Sequence, residues 1–404
     1  MIMKLILEIL FWFFIGLVVY TYVGYGIIAW ILVKIRKIIG KQFIKYNDPT
    51  FLPRITLAIP AYNEMSCIEA KVKNTFSLDY PPDKMEILFV TEGSNDGTSE
   101  YVHSLSAIYP NLKMITGDVR RGKIEAMNMA IKTIHTPIVI FTDANTSLNN
   151  KVIKNIVRHF QDPNVGAVAG EKRIETQGSE AAAGAGEGLY WKYESFLKKL
   201  DTELYSVVGA AGELFAVRTH LFGEVEKDTL LDDFMVSLRV AAKGFRVVYE
   251  PHAYASERPS FSIQDEMKRK IRIASGGFQS IARLGFLWNI FRYGLLSFQY
   301  ISHRAMRWAV APFCLPLIFF INVVLLFTQP IPQNLSIYSL FMWGQIVFYL
   351  MAIVGYNLEN KKIRVKLLFV PFYFSFMNYC AIKGYFNYRS GLTSGIWEKV
   401  KRAE

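Results

Sequence analysis

The chain has 404 residues, is 52% hydrophobic and has a mean hydropathy of +0.21, values that exclude an ordinary soluble enzyme. Its net charge of +12 would suit nucleic acid, but much of the excess sits beside apolar segments, so the expected partners are anionic membrane lipids and not nucleic acid. Cys67, Cys314 and Cys380 lie far apart, two of them in apolar segments, which argues against a disulfide framework or a zinc site and agrees with a reducing compartment.

Residues 9–33 contain no charged side chain and are long enough to cross a hydrocarbon core as a helix. The run is longer than the apolar part of a signal peptide and is followed by Lys34, Arg36, Lys37, Lys41 and Lys45 instead of a small-residue cleavage site. It therefore reads as a retained anchor, residues 1–34, and the basic cluster places the domain after it in the cytoplasm. Residues 35–300 have normal polarity and suffice for one α/β domain with interfacial helices at its end, leaving 301–404 as a second membrane region.

Within the domain, residues 54–60 read as a buried strand ending at a Pro-bounded turn, where Tyr62 and then Glu64 lead into a helix. Residues 86–90 form a second strand, followed by a polar turn that begins near Glu92. Residues 112–116 form a third, and Arg121-Gly122-Lys123 then opens a helix with Ala126 and Asn128. A fourth, 137–141, closes on Asp143-Ala144-Asn145. Four strand–turn–helix repeats predict a parallel sheet covered on both faces, with three polar strand-end loops converging on one crevice. Asp143 and Asn145 offer hard oxygens to a divalent cation, although the same residues also suit a turn bonded to its own backbone.

In order and spacing, these motifs resemble the donor-binding half of family-2 glycosyltransferases, which use a nucleotide-sugar in a GT-A fold, an α/β Rossmann-like architecture. The resemblance covers roughly residues 50–300. The flanking membrane segments extend it to the branch of cellulose, hyaluronan and poly-N-acetylglucosamine synthases. It implies a UDP-sugar donor held by Pro60, Tyr62, Glu64, Glu92 and Lys123, with Tyr62, Glu64 and Glu92 on the uridine. It also implies Mg2+ or Mn2+ on the diphosphate, held by Asp143 with Asn145. Glu92 stands where the family usually has Asp, and Asn145 where a second Asp is usual, a loss of charge that predicts weaker cation binding.

Farther on, residues 165–170 read as another strand, and the Ala/Gly-rich stretch 178–188 as a loop leading to a helix with Tyr190, Trp191, Tyr193 and Glu194. Trp191 either stacks on an acceptor sugar or packs the helix on the domain or membrane surface. The stretch 209–218, with Gly212, resembles the family's acceptor-side strand. Asp232 and Asp233 precede an amphipathic helix that they would suit as simple N-terminal acids; the resemblance instead makes Asp233 the general base, with Asp232 beside it. In the basic run 268–273 the family's Gln-x-x-Arg-Trp signature overlays on Lys268, Arg272 and Ile273. Arg272 then meets the diphosphate, while Ile273 removes the aromatic platform near the acceptor and puts processive synthesis in doubt. Without the resemblance the run reads as a basic amphipathic helix on the membrane face.

Residues 286–300 and Trp397 read as interfacial, and 309–328 and 335–358 as two further spans. A shorter segment, 367–382, contains Pro371. Full crossing would put Arg389, Lys399, Lys401 and Arg402 on the far side, whereas a re-entrant segment would keep them inside, and both readings stay open. The expectation is an inverting glycosyltransferase of the bacterial inner membrane, with a cytoplasmic catalytic domain, serving a growing polysaccharide or lipid-linked glycan. Single addition to a membrane lipid and an inactive sugar-nucleotide-binding scaffold are the alternatives, the second motivated by Asn145 and Ile273.

Overall fold

The computed structural model describes residues 2–40, 48–174, 185–258, 262–328, 336–360 and 365–391, with the backbone alone for 185–191. Trp191's side chain, most of the Ala/Gly-rich stretch 178–188, Trp397 and the last basic residues fall outside the described part.

The strands are β1 (Ile55–Ala61), β2 (Met85–Glu92), β3 (Leu112–Gly117), β4 (Ile138–Thr142), β5 (Ser147–Leu148), β6 (Val165–Ile174), β7 (Leu214–Arg218) and β8 (Arg246–Glu257). They form one sheet in the order β3-β2-β1-β4-β7-β6-β8-β5. The four expected repeats supply its parallel half: β1 pairs β2 and β4 in parallel, and β2 pairs β3 likewise. Beyond them β7 runs antiparallel to both β4 and β6.

The helices of this domain are α2 (Met65–Phe76), α3 (Thr98–Ser106), α4 (Lys123–Thr133), α5 (Val152–Val157), α6 (Ala185–Leu204), α7 (Asp232–Ala242) and α8 (Ile263–Arg283). A long helix, α1 (Ile2–Ile38), precedes them, and after α8 come the short helix Ile290–Tyr293 and the longer helices described below. Period-two alternation sends Leu57 and Ile59 of β1 into the core under α2, α3 and α5, and Ala58 into the core under α4 and α7. With both faces covered, β1 and β4 are apolar at nearly every position, which is why they are legible as strands. From β1 the chain moves to β2 and β3 on one side and returns to β4 on the other, so the strand order reverses at β1. The loops after β1 and β4 therefore open a crevice at that switch point.

α1 is longer than the expected 9–33: it runs Ile2–Ile38 with one π-helical stretch, Tyr20–Gly24. Its apolar character and length suffice to cross a membrane, as do those of α11 (Ile337–Asn360). α9 (Leu295–Ala309) and α10 (Ala311–Phe327) meet at 53° and together would make a third crossing. Large apolar side chains stand exposed along α1 and α11, among them Ile9, Phe13, Ile31, Leu340, Trp343 and Ile353, as a lipid-facing surface requires. The segment 367–382 is part of one uninterrupted helix, α12 (Lys366–Arg389), which contains Pro371 near its start and has no internal reversal of the kind a re-entrant hairpin needs. α12 lies against α8 and α11.

The N-terminal helix is docked on the domain. Tyr25, Ala29 and Val33 of α1 bury against Leu197, Leu200 and Leu204 of α6. Gly26 permits that approach, since a Cβ there would lie 3.2 Å from Leu197 Cδ2.

Candidate active site

The loops at the carboxyl ends of β1 and β2 are stitched together. Asn63, at φ 52°, donates from Nδ2 to Asn95 Oδ1 and accepts at Oδ1 from the Asn95 backbone N–H, both at 2.9 Å, and Asp96 accepts from the Met65 backbone N–H at 3.0 Å. The left-handed Gly93 admits no side chain, because a Cβ would meet the Arg120 nitrogen at 2.7 Å. This packing brings Arg120 over the Tyr62 ring, 4.0 Å from its centroid. Glu92 ends β2 almost fully buried; its Oε2 accepts from the Arg121 backbone N–H at 3.3 Å, while its Oε1 has no hydrogen-bond partner. Burial raises the Glu92 carboxyl above its ordinary range.

After β4 the chain does make a turn, closed by Thr146 Oγ1 donating to the Asp143 carbonyl at 2.8 Å. The Asp143 side chain is turned elsewhere, so the simple-turn reading fails: its Oδ1 accepts from Lys123 Nζ at 2.6 Å. Lys123 is the first residue of α4. Its ammonium also donates to the Gly212 carbonyl at 3.0 Å and stands 3.5 Å from Asp232 Oδ2. Burial works against the charge on Lys123, but Asp143 and Asp232 outweigh it and hold the ammonium protonated well above the ordinary lysine range.

Asp232 and Asp233 are the first two residues of α7, and no side chain caps that helix. Asp232 Oδ2 is buried and has no hydrogen bond among the described residues. Burial, reinforced by the charge of Asp232, pushes Asp233 up to about 8. Gly212 keeps the space beside it open, since a Cβ would lie 3.6 Å from both the Asp233 carboxyl and Lys123 Nζ.

Pro60, Tyr62, Glu64, Glu92, Lys123, Asp143, Asn145, Gly212, Asp232, Asp233, Arg272 and Ile273 all line one cavity of about 920 Å³. Lys268 does not: it is exposed on α8, and three positions before Arg272, as the signature's spacing requires, stands Arg269, which lines the cavity. Asn128, which belongs to the same motif as Lys123, is structural: it bonds the Val225 backbone in both directions and ties α4 to the segment before α7.

Several cavity residues carry no signal in the motifs read from the sequence. Glu213 forms ion pairs with Lys172, which also meets Glu257; Arg269 joins Glu257 at 3.2 Å and Glu266 at 3.1 Å. Behind Asp143, the fully buried Lys71 donates to Thr142 Oγ1 (3.1 Å) and to the Thr146 carbonyl (3.0 Å), bracing the turn. Burial lowers its ammonium to about 7. A lysine inside the apolar stripe Ile68, Val72, Thr75 is the signal that could have found it. Trp308 of α9 stands against Phe234 with ring centroids 5.1 Å apart, and fits only because α8 has Gly277, whose Cβ would meet the indole at 2.6 Å. An aromatic is thus present in the cavity one helical turn beyond Ile273.

A divalent cation is implied by the motif, and the donor set fits it in chemical type: the carboxyls of Asp143 and Asp232 and the side-chain amide of Asn145 line one cavity and offer hard oxygens, although the Lys123 ammonium occupies one oxygen of Asp143. No group of three or more His, Cys, Asp or Glu side chains among the described residues is arranged to hold a metal by itself. Substrate oxygens would have to complete the shell.

A mixed sheet whose donor-type loops converge at the switch point, beside acids at the start of α7, defines a GT-A glycosyltransferase fold. The family model described as glycosyltransferase like family 2 matches residues 53–276, and the chain belongs to that family. A poly-β-1,6-N-acetyl-D-glucosamine synthase of Staphylococcus aureus (strain COL) is 28% identical over 243 residues, 57% of this chain and 56% of the relative. The synthase of the same name from Staphylococcus epidermidis is 25% identical over 267 residues, 64% and 62% of the two chains. The matches thus span little more than half the length of these curated relatives. A solved mannosyltransferase from Pyrobaculum calidifontis, in complex with GDP-Man and Mn2+, superposes with a TM-score of 0.69 at 23% identity, covering 94% of this chain and 99% of that one. This last likeness is one of fold.

Proposed function

We propose that the protein is an inverting glycosyltransferase that moves a sugar from a nucleotide-diphosphate donor, UDP-linked by the motif resemblance, to a growing polysaccharide or lipid-linked glycan. The observation that carries the reading is the arrangement of Asp143, Asp232 and Asp233 around Lys123, with Arg272 in the same cavity. The acceptor hydroxyl attacks the anomeric carbon as Asp233 takes its proton; the bond from that carbon to the diphosphate oxygen breaks, and the diphosphate leaves with the electron pair. A carboxyl raised to about 8 is a stronger proton acceptor than an ordinary aspartate. Lys123 and Arg272 meet the charge on the leaving group. A divalent cation held by Asp143 and Asn145, when bound, supplies further charge to that diphosphate.

Residues 1–34 act as the anchor, 35–300 as the catalytic domain and 301–404 as a membrane region. The basic residues that flank α1 support a cytoplasmic catalytic domain in a bacterial inner membrane. Acceptor access through the membrane helices is supported by a cavity that continues past Asp233 to Tyr22 of α1, Trp308 of α9 and Tyr373 of α12. Single addition is the second reading, favoured by Ile273 at the aromatic position.

The experiment is a screen of UDP- and GDP-sugars for nucleotide release by the purified full chain, with and without magnesium or manganese, followed by sizing of products from radiolabelled donor. The expected result is cation-stimulated release of UDP and a ladder of products. One added sugar selects the second reading. Binding of nucleotide with no turnover under any cation refutes both and leaves the inactive scaffold.

A further inference from the structure

The ammonium of Lys123 stands where the cation assigned to Asp143 must come. A divalent ion of the magnesium or manganese type sits about 2.0–2.2 Å from a carboxylate oxygen. Lys123 Nζ is already 2.6 Å from Asp143 Oδ1. A dication and an ammonium cannot both make contact with that carboxyl at such distances without strong repulsion. Two other cations of the cavity are engaged with other carboxylates, Lys172 with Glu213 and Glu257, and Arg269 with Glu257 and Glu266. A second place for the ammonium lies within reach: Asp232 Oδ2, 3.5 Å from Nζ, is buried and accepts no hydrogen bond among the described residues.

We propose that Lys123 holds the cation seat shut in the donor-free protein, and that the divalent cation gains Asp143 only together with a nucleotide diphosphate, whose oxygens and the carboxyl of Asp232 draw the ammonium away. Lys123 is on this account a positioning residue that imposes joint entry of cation and donor. A diphosphate supplies further partners that make displacement of the ammonium favourable, whereas a cation arriving alone has to break a partly buried ion pair with only the carboxyl of Asp232 to replace it. The inference rests on the assignment of Asp143 as a cation ligand in the proposed function.

The test measures Mn2+ bound to the full chain in nanodiscs, from the loss of the free-ion electron paramagnetic resonance signal, first without nucleotide and then with saturating UDP or GDP. Wild-type protein is expected to bind Mn2+ weakly alone and at least tenfold more tightly with one of the nucleotides. In Lys123→Gln the donor-free affinity rises about tenfold, and the gain on adding nucleotide shrinks correspondingly. Lys123→Met, which cannot bond Asp143, behaves the same way, and thermal unfolding of both variants establishes that they are folded. Donor-free Mn2+ affinity that is unchanged in both folded variants, while binding with nucleotide is abolished by Asp143→Asn, overturns the inference and leaves the cation assignment standing. Binding with nucleotide that is indifferent to Asp143→Asn overturns the cation assignment and the inference with it.

Discussion

The site's chemistry depends on how one ammonium is shared among three carboxyls. Asp233 is the carboxyl beside Gly212, and burial with the charge of Asp232 raises its proton affinity to about 8, so Asp233→Asn should lower kcat by about 10²–10⁴ while donor binding is kept. Nucleotide release under saturating donor, with donor affinity measured separately, checks this; full turnover by a folded variant would remove Asp233 from the role of base. The same carboxyl sets a pH profile. A base works deprotonated, and its raised value means that the working form is lost as pH falls through about 8, so activity in kcat/KM should climb from pH 6 and level off above about 8. Because the charge of Asp232 contributes to the rise, Asp232→Asn should move the midpoint to lower pH. Asn145 faces the same cavity with a neutral oxygen, and Asn145→Asp should therefore tighten Mn2+ in the presence of nucleotide. Titration calorimetry giving equal or tighter binding by the wild type would contradict it.

At the scale of elements, the legible features are those set by local pattern. β1, β2 and β4 are continuous apolar runs because both their faces are covered, and each ends abruptly in polar residues at the crevice, so strands and donor-side residues are readable together. The features that escape the sequence depend on contacts distant along the chain. The antiparallel insertion of β7 between β4 and β6, the Lys172–Glu213–Glu257–Arg269 network and the approach of Trp308 to Gly277 leave no periodic trace. The hydropathy pattern understates α12 for a related reason. Asn378, Lys383 and Arg389 interrupt its apolar character, yet the helix continues through them because it packs on α8. That packing is close: a Cβ at Gly384 would lie 2.5 Å from Ala274 Cβ and 2.9 Å from the Ser275 nitrogen, and Ser275 Oγ donates to the Gly384 carbonyl at 3.0 Å. Since α8 also carries Arg269 and Arg272, Gly384→Leu should push the two helices apart, lowering thermal stability by about 1–3 kcal/mol and reducing nucleotide release, with no residue of the carboxylate cluster altered. Unchanged thermal unfolding and turnover would show that α12 does not position α8.

At the scale of the whole molecule, the catalytic domain and the helices around it share one buried polar junction. Asp201 of α6, fully buried, accepts from Tyr25 of the anchor, faces His303 Nδ1 of α9 at 2.6 Å, and has its backbone carbonyl bonded by Gln299 Nε2 at 2.9 Å. Closer to the start of α6, Glu194 pairs with Arg304 at 2.6 Å and Arg307 at 2.8 Å, and all three line the cavity. Tyr25, Asp201 and His303 thus join α1, α6 and α9, next along α6 and α9 to the Glu194–Arg304–Arg307 cluster that lines the cavity. Asp201→Asn keeps the volume but replaces one carboxyl oxygen by an amide nitrogen, leaving Tyr25 or His303 poorly matched, and a buried polar group left without its partner costs about 1–3 kcal/mol. The variant should unfold at a lower temperature. If the junction transmits position to the cavity, it should also lose transferase activity at temperatures where it is still folded, more in detergent, where the junction has to hold α1 against the domain, than in nanodiscs, where the bilayer also confines α1. Thermal unfolding and nucleotide release measured side by side in the two environments check this. Destabilisation without any loss of activity in the folded protein would make the junction a strut alone, whereas loss of activity in both environments at unchanged stability would place Asp201 in the site's own electrostatics.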